Sequence, residues 1–226
     1  LGKQLTVTCS DGTSAMGYGI KASTATNKYI FVFHEWWGLN DYIKKTADQL
    51  YTGLGGMVNI IAIDLYDGKV ATKRDSAMAY MSGLSQDRAK LIIDAFMAEA
   101  GTDALVATIG WCMGGGYSLQ SSIMLDKRAA GCVMYYGMPE TNVERLQQLN
   151  ADVLMIWPNQ DKWINKEVVD TFKSNMASLN KKLKVEEYDA DHAFANPSNP
   201  KHNEQAAADA YNQSLDFIKL KLGIVE

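Results

Sequence analysis

The stretch of the chain with the clearest chemical potential is a cysteine flanked by glycines. Residues 105–117 read LVATIGWCMGGGY, which places Gly110 and Gly114 two positions either side of Cys112. Glycines there permit a sharp strand-to-helix turn, because a Cβ would collide with neighbouring backbone. Such a turn presents its central side chain beside a helix N-terminus, where the helix dipole favours a thiolate. Cys112 is therefore a candidate nucleophile.

Two other interpretations of this stretch stay open. A lone cysteine is commonly a small buried hydrophobe of the core. The glycines Gly110, Gly114 and Gly116 also have the spacing of a phosphate-binding turn in a dinucleotide fold. A dinucleotide site requires an acidic residue at the end of the next strand, but that strand ends at Gly137. The dinucleotide interpretation is therefore disfavoured, and we expect no cofactor.

A thiol nucleophile needs a base, and the chain has three histidines. His192 follows the predicted strand Leu183–Tyr188, in a loop at the carboxyl end of that strand. His34 precedes the nucleophile in the chain, and His202 lies in a polar run typical of a solvated loop. His192 is the candidate base, although an isolated histidine in a loop is also a common structural hydrogen-bonding residue.

The candidate acid is Asp161, which lies just past the end of the predicted strand Val153–Trp157. The alternative is a turn residue, the usual role of aspartate after Pro-Asn. In the chain the order is Cys112, Asp161, His192, which is the order of nucleophile, acid and base that one hydrolase topology imposes. Together the three residues predict a catalytic triad.

A fourth candidate is the loop HEWWGL at residues 34–39. It begins like the zinc-binding motif H-E-x-x-H, but position 38 is glycine, so we expect no metal site. Its backbone can instead supply one N–H of an oxyanion hole, at Trp36 or its neighbour, with the N–H of Met113 as the other. We expect nearby aromatic side chains to contact substrate, although about half of them should fill core. These are Trp37, Trp111, Trp163 and Phe194.

Strands and helices alternate along the chain, which predicts a mostly parallel sheet with helices on both faces. The first two strands lack an intervening helix and should form an antiparallel edge. Thr141 and Glu144 have the spacing of a capping box that opens a helix. Without a linker or repeat, residues 1–226 are predicted to form one domain. The predicted strands are Leu5–Cys9, Gly17–Lys21, Tyr29–His34, Val58–Asp64, Leu105–Trp111, Gly131–Tyr136, Val153–Trp157 and Leu183–Tyr188.

The composition of the chain limits its class of protein, its partners and its location. The 226 residues carry a formal charge of −4, with 47% hydrophobic and 21% charged residues, ordinary values for a globular protein. The acidic balance gives no reason to expect nucleic acid or a membrane as partner. Three cysteines are too few for a disulfide framework, which favours a reducing, cytoplasmic location. Because the chain begins at Leu1, an exported product that has lost its targeting peptide is the alternative.

With Cys112 in Gly-x-Cys-x-Gly, Glu35 in the HEWWGL loop, Asp161 and His192, the chain resembles the dienelactone hydrolase (carboxymethylenebutenolidase) family. The likeness extends from about Lys28 to the C-terminal helix. It implies an α/β-hydrolase fold and a Cys-His-Asp triad that opens enol-lactones or esters through a thioester. It also implies that Glu35 hydrogen-bonds the resting cysteine, and that substrate binding turns the thiol toward the histidine.

One departure concerns the substrate. Family members hold the substrate carboxylate with arginines, one of them shortly after the triad histidine, where this chain has Asn196. Arg74 could replace the other, although a solvated helix charge is the alternative. A neutral asparagine cannot form the bidentate, charge-assisted pair that arginine forms. A less anionic ester, lactone or thioester is therefore the expected substrate.

The sequence predicts a hydrolase of a small ester or lactone that forms an acyl-enzyme on Cys112. We expect it to be a monomer or a weak homodimer. Two alternatives from other classes are a non-catalytic binding protein that kept the fold and a thiol redox enzyme. The redox alternative lacks a C-x-x-C motif.

Overall fold

The computed structural model describes residues 1–224, which contain eight strands and seven α-helices. The chain divides into two compact units, Leu1–Val106 and Ala107–Glu226. The expectation of one domain over residues 1–226 stays a prediction, and its last two positions lie outside the described residues.

The first unit contains a sheet with the strand order β1-β2-β4-β3. β1 and β2 form an antiparallel pair at the edge, as the missing helix between them predicted, while β3 and β4 are parallel. β2 is also antiparallel to β4. The strands are β1 (Lys3–Thr8), β2 (Ser14–Ile20), β3 (Lys28–Phe33) and β4 (Asn59–Ile63).

The helices of the first unit are α1 (Asp41–Gly53), α2 (Arg74–Gly83) and α3 (Gln86–Ala100). α1 begins where the Asn40 side chain accepts a hydrogen bond from the backbone N–H of Ile43. Its buried face includes Ile43, Ala47 and Leu50, the apolar residues that recur at helical spacing.

The second unit begins within β5 and contains four strands in the order β5-β6-β7-β8. β6 is parallel to β7, and β7 is parallel to β8, so these three strands end at the same edge. The strands are β5 (Leu105–Trp111), β6 (Ala129–Tyr135), β7 (Asp152–Pro158) and β8 (Leu183–Tyr188). The bounds of β5 and β8 are those predicted from the sequence.

The helices of the second unit are α4 (Met113–Leu125), α5 (Val143–Gln147), α6 (Lys166–Ser178) and α7 (Glu204–Leu222). The predicted capping box at α5 is wrong. Asn142, rather than Thr141, precedes the helix, and its side chain accepts the backbone N–H of Arg145. Either residue type can cap a helix, and the loop after β6 brings Asn142 to the capping position. Among the described residues, no helix is long and apolar enough to cross a membrane.

Candidate active site

Cys112 occupies a strained turn between β5 and α4. Its φ is 56°, in the left-handed region that residues with a Cβ rarely adopt. Its backbone N–H donates to the carbonyl of Tyr135 at 3.0 Å, and its carbonyl accepts the N–H of Gly115 at 3.0 Å. Strain of this kind persists only where the surroundings enforce it, and it is concentrated at functional sites.

The enforcing contact is a close approach of α4 to the end of β6. A Cβ on Gly115 would lie 2.7 Å from the Tyr135 carbonyl oxygen and 2.9 Å from the Cα of Gly137. A Cβ on Gly137 would lie 2.5 Å from the Gly116 nitrogen. The glycines after Cys112 therefore let the helix contact the strand end backbone to backbone.

This contact gives a prediction for Gly115→Ala. Overpacking typically costs 1–3 kcal/mol, which exceeds the gain of up to ~1 kcal/mol that alanine brings in a helix. We expect a loss of about 1–2 kcal/mol in the free energy of unfolding, measured by urea denaturation. Gly83→Ala is the matched control, since a Cβ at this helical glycine meets nothing within 4 Å. Equal stability changes in the two variants would contradict the prediction.

A buried hydroxyl network joins the middle of α4 to the sheet. Thr108 Oγ1 lies 2.8 Å from both Ser118 Oγ and Ser122 Oγ. Ser118 Oγ also donates to the carbonyl of Val133 at 2.9 Å and lies 3.4 Å from Cys132 Sγ. Satisfied buried networks of this type rigidify a core. The helix that follows the nucleophile is therefore fixed against both β5 and β6.

The structure brings Cys112, His192 and Asp161 into one hydrogen-bonded chain. His192 Nε2 lies 3.2 Å from Cys112 Sγ, and His192 Nδ1 lies 2.6 Å from Asp161 Oδ2. The other carboxylate oxygen of Asp161 accepts the backbone N–H groups of Trp163 and Ile164 at 2.9 and 3.1 Å. Asp161 is buried, and each of its two carboxylate oxygens has a hydrogen-bond partner within the protein.

The electrostatic environment of His192 favours the protonated, positively charged form of its imidazole. Burial opposes the charge on His192, but the hydrogen bonds that the imidazole donates to Asp161 and Cys112, and the negative charges of these two groups, outweigh it. Together they raise the pKa of His192 to about 10. An imidazolium next to a sulfur stabilises the thiolate, the nucleophilic form of cysteine.

Two aromatic rings flank the imidazole. The ring of Tyr136 lies 5.0 Å from that of His192, and the ring of Trp163 lies 5.2 Å away at 75°. Tyr136 is buried with a φ of 38°, whereas Trp163 is 65% exposed. Tyr136 was not among the site residues predicted from the sequence. Its position at the end of a strand, directly before Gly137, was the one feature that could have indicated a place at the site.

The other aromatic candidates of the second unit are buried. Trp111 packs its ring 5.2 Å from that of Tyr135. Phe194 packs between Tyr136 and Tyr188, at ring distances of 5.8 and 5.4 Å. Both rings therefore support the site from the core, and Trp163 is the predicted aromatic side chain that reaches solvent beside His192.

Asn196 and the histidine loop are held by internal hydrogen bonds. The side chain of Asn196 is buried and accepts the backbone N–H of Ser198. Asp191 accepts the backbone N–H of His192 and forms an ion pair with Lys201. The loop that carries His192 is therefore fixed by contacts of Asp191, which precedes the histidine, and of Asn196, which follows it.

Met113 is the first residue of α4, so its backbone lies at the N-terminus of that helix, directly after Cys112. That position suits an oxyanion donor next to Cys112.

Four predicted site residues belong to the first unit. Glu35 is buried. The pKa of Tyr42 is raised to about 12, first because Tyr42 is itself largely buried and second because of the negative charge of Glu35. Arg74 lies over the ring of Trp36 at 5.9 Å, and the rings of Trp36 and Trp37 pack edge to face at 5.1 Å. The roles of Glu35, Trp36, Trp37 and Arg74 at the nucleophile stay predictions.

His34 organises the loop that carries Glu35. Its Nδ1 donates to the carbonyl of Glu35 at 2.6 Å, and its Nε2 accepts the N–H of Leu65 at 3.1 Å. The two contacts identify the tautomer, with the proton on Nδ1. Burial lowers the pKa of His34, so it stays neutral in this structural role.

Within the described residues, no group of three or more histidine, cysteine, aspartate or glutamate side chains could hold a metal ion.

Solved structures define the class of this protein. A putative dienelactone hydrolase of Klebsiella pneumoniae matches with a TM-score of 0.82 and 20% identity, covering 96% of this chain and 98% of that one. An esterase of Pyrococcus furiosus matches with a TM-score of 0.73 and 13% identity, covering 99% of this chain and 91% of that one. The protein has the α/β-hydrolase fold, which confirms the predicted fold class.

The family follows from the sequence match. The model of the dienelactone hydrolase family matches residues 16–222. A putative carboxymethylenebutenolidase of Saccharolobus solfataricus is 28% identical over 232 residues, covering 84% of this chain and 88% of that protein. The chain belongs to the dienelactone hydrolase family and is a dienelactone hydrolase-like hydrolase.

Asp161→Asn tests the orientation of the imidazole. Asparagine keeps an oxygen for the N–H groups of Trp163 and Ile164, but its amide favours the wrong tautomer of His192. We expect kcat for a small aryl ester to fall by about 10³–10⁴-fold with the fold retained. Asp189→Asn is the control, because this carboxylate is exposed and accepts a hydrogen bond from the side chain of Gln160. Comparable losses in both variants would show that the effect is not specific to the His192 contact.

Proposed function

We propose that this protein hydrolyses small uncharged carboxylic esters or lactones through a thioester on Cys112. The observation that carries the proposal is the chain of contacts from Cys112 Sγ through His192 to Asp161. Cys112, Asp161 and His192 follow the ends of β5, β7 and β8, in the chain order that the hydrolase topology requires.

Acylation uses the thiolate and the imidazolium. Cys112 Sγ attacks the carbonyl carbon, and the carbon–oxygen π pair moves onto the oxygen. In this proposal the N–H of Met113 stabilises the oxyanion, and Trp36 is the predicted second donor. The tetrahedral intermediate collapses to a thioester as His192 gives its Nε2 proton to the leaving alkoxide.

Deacylation follows from the same electrostatics. In the thioester the sulfur carries no charge, so one of the causes that raise the pKa of His192 disappears. The neutral imidazole can then take a proton from water, and the resulting hydroxide attacks the thioester. The thiolate leaves, the carboxylic acid that is released gives its proton to solvent, and His192 is again protonated beside Cys112.

The residues of the histidine loop support an uncharged substrate. Asn196 bonds its own loop, and the ammonium of Lys201 is paired with Asp191. A substrate carboxylate would therefore meet no free cation in this loop. A charge-assisted hydrogen bond contributes about 1.5–3 kcal/mol, so its absence removes a factor of about 10–100 in affinity.

A matched pair of esters tests this substrate class. We expect kcat/KM for phenyl acetate to exceed that for monophenyl succinate by about tenfold or more, because the second ester places a carboxylate near uncompensated polar groups. The background hydrolysis of each ester by hydroxide gives the correction for intrinsic reactivity. A preference for the succinate ester would contradict the proposal of an uncharged substrate.

Trapping the acyl-enzyme tests the thioester. The protein is mixed with p-nitrophenyl acetate, quenched in acid within milliseconds and digested for mass spectrometry. We expect one acetyl group on the peptide that contains Cys112, and no acetylation of Cys9 or Cys132, which are buried. Acetylation of another residue, with turnover unaffected by the loss of Cys112, would overturn the proposal.

A further inference from the structure

Trp163 is an exposed aromatic side chain directly beside the imidazole of the candidate base. The tryptophans Trp111 and Trp157 and the ring of Phe194, in the same unit, are buried. Exposed apolar side chains are common on protein surfaces, but Trp163 is distinguished by its contact with His192. The two rings lie 5.2 Å apart at 75°, a distance typical of aromatic contacts.

The backbone that carries Trp163 is held by contacts on both sides of this residue. The N–H groups of Trp163 and Ile164 donate to one oxygen of Asp161, at 2.9 and 3.1 Å. The indole N–H of the buried Trp157 donates to the carbonyl of Ile164 at 2.6 Å, and Ile164 is itself buried. The exposed ring therefore extends from a fixed backbone, which is attached to the same carboxylate that orients the imidazole of His192.

The proposed acylation determines which part of the substrate lies nearest to His192. As the bond between the carbonyl carbon and the leaving oxygen breaks, the Nε2 proton moves to that oxygen, so the leaving oxygen lies at hydrogen-bond distance from Nε2. The acyl carbon is bonded to Cys112 Sγ, which lies 3.2 Å from the same nitrogen. Of the two rings that flank the imidazole, Tyr136 is buried and Trp163 is exposed, so Trp163 is the one that a substituent on the leaving oxygen can contact.

We infer that Trp163 is a specificity-determining residue that binds the alcohol part of the substrate, and that the preferred substrates are esters of aromatic alcohols, such as benzyl esters. This inference rests on the proposed function and specifies the substrate class of the same site. An aromatic ring on the leaving alcohol covers apolar surface of Trp163 that a short alkyl group leaves in water. Binding energy from a part of the substrate that does not react increases kcat/KM.

Competition between two esters at equal concentration in one reaction tests the inference. Benzyl acetate and ethyl acetate share the acyl group, so the initial ratio of benzyl alcohol to ethanol gives the ratio of their kcat/KM values. We expect the wild type to prefer benzyl acetate by about tenfold after correction for hydrolysis of each ester by hydroxide, because apolar burial and aromatic contact contribute about this factor. Trp163→Ala should lose most of this preference.

A second pair of esters places the aromatic ring on the acyl side. Ethyl phenylacetate and ethyl acetate share the leaving alcohol, so the initial ratio of the two acids that they release reports on binding of the acyl group. Trp163→Ala should leave this ratio unchanged. Trp163→Phe is the matched conservative variant, because it keeps an aromatic ring, and it should retain most of the preference for benzyl acetate.

The ratios separate a contact with the substrate from mere support of the imidazole. Benzyl alkoxide and ethoxide both require a proton from His192 in the proposed mechanism, so a displaced imidazole slows the two acetates alike and leaves their ratio unchanged. A contact between Trp163 and the leaving alcohol instead changes the ratio. Unchanged ratios in Trp163→Ala, with all rates lowered, would therefore overturn the inference.

The outcomes also distinguish this inference from the proposed function. A benzyl preference that is lost in Trp163→Ala, with the acyl-side ratio unchanged, supports the inference. A wild type without that preference, or an equal loss on both sides of the ester, overturns it but leaves the proposed hydrolysis intact if Cys112→Ala abolishes turnover. Should Trp163→Ala fail to fold, Trp163→Leu removes the ring and is judged by the same ratios. Turnover retained in Cys112→Ala, or no turnover of any of the three esters by the wild type, overturns the proposed function.

Discussion

Replacing Cys112 by alanine is expected to lower kcat for p-nitrophenyl acetate by on the order of 10⁴-fold or more. In the proposed mechanism the variant loses the sulfur that forms the thioester, while the Met113 amide and His192 remain and can support only weak catalysis by water. Steady-state release of nitrophenolate measures the effect. Turnover within tenfold of the wild type would show that another residue is the nucleophile.

Cys112→Gly is a second variant that separates activity from stability. Alanine keeps the Cβ and therefore the strain at a φ of 56°, whereas glycine adopts this conformation freely. Backbone strain of this kind costs on the order of 1–3 kcal/mol, and the greater flexibility of glycine in the unfolded chain offsets part of the gain. We expect Cys112→Gly to be inactive yet about 1 kcal/mol more stable than Cys112→Ala in urea denaturation. Equal stability of the two variants would show that the turn is not strained.

The buried strands could be predicted because each is a nearly continuous run of apolar residues in the sequence. β5 and β8 have the bounds that the apolar runs indicated, and β1 and β2 form the expected antiparallel pair. α2 was not predicted because Ala77 is its one fully buried residue, so no apolar stripe marks it in the sequence.

Buried polar residues explain a subtler difference in α7. Apolar residues recur at helical spacing along α7, at Tyr211, Leu215, Ile218 and Leu222. Ile218 and Leu222 are buried, but Ala210 and Ser214 are the buried positions nearer the start of the helix. Ser214 Oγ lies 2.8 Å from the hydroxyl of Tyr135 and donates to the carbonyl of Ala210. A pattern of apolar residues cannot reveal a serine that is buried because a tyrosine hydroxyl in another element provides its partner.

The candidate site likewise combines features that the sequence predicts with features that depend on contacts between elements. The order of Cys112, Asp161 and His192 follows from topology, since each residue lies just past the end of a predicted strand. Their distances, the direction of the sulfur and the positive φ of Tyr136 and Ala193 depend on contacts between elements. The engagement of Asn196 with Ser198 could not be foreseen either, because it depends on the path of the loop.

His192→Gln gives the second large effect. In the proposed mechanism, loss of the imidazole removes the partner of Cys112, the acid that protonates the leaving group and the base that activates water. We expect kcat/KM for an alkyl ester to fall by about 10²–10⁴-fold. The loss should be smaller for p-nitrophenyl acetate, because nitrophenolate leaves without a proton, and a purely structural role for His192 would reduce both activities equally.

The matched control is His202→Gln in the same loop. His202 Nδ1 donates to the carbonyl of Phe194 at 2.7 Å, and a glutamine amide can donate in the same way. We expect this variant to keep the activity of the wild type on both esters. The two histidines lie ten residues apart and both bond within one loop, so a loss confined to the His192 variant would assign the chemistry to the imidazole in contact with sulfur. Equal losses in the two variants would instead mean that the loop tolerates no substitution, and the assignment of His192 as the base would fail.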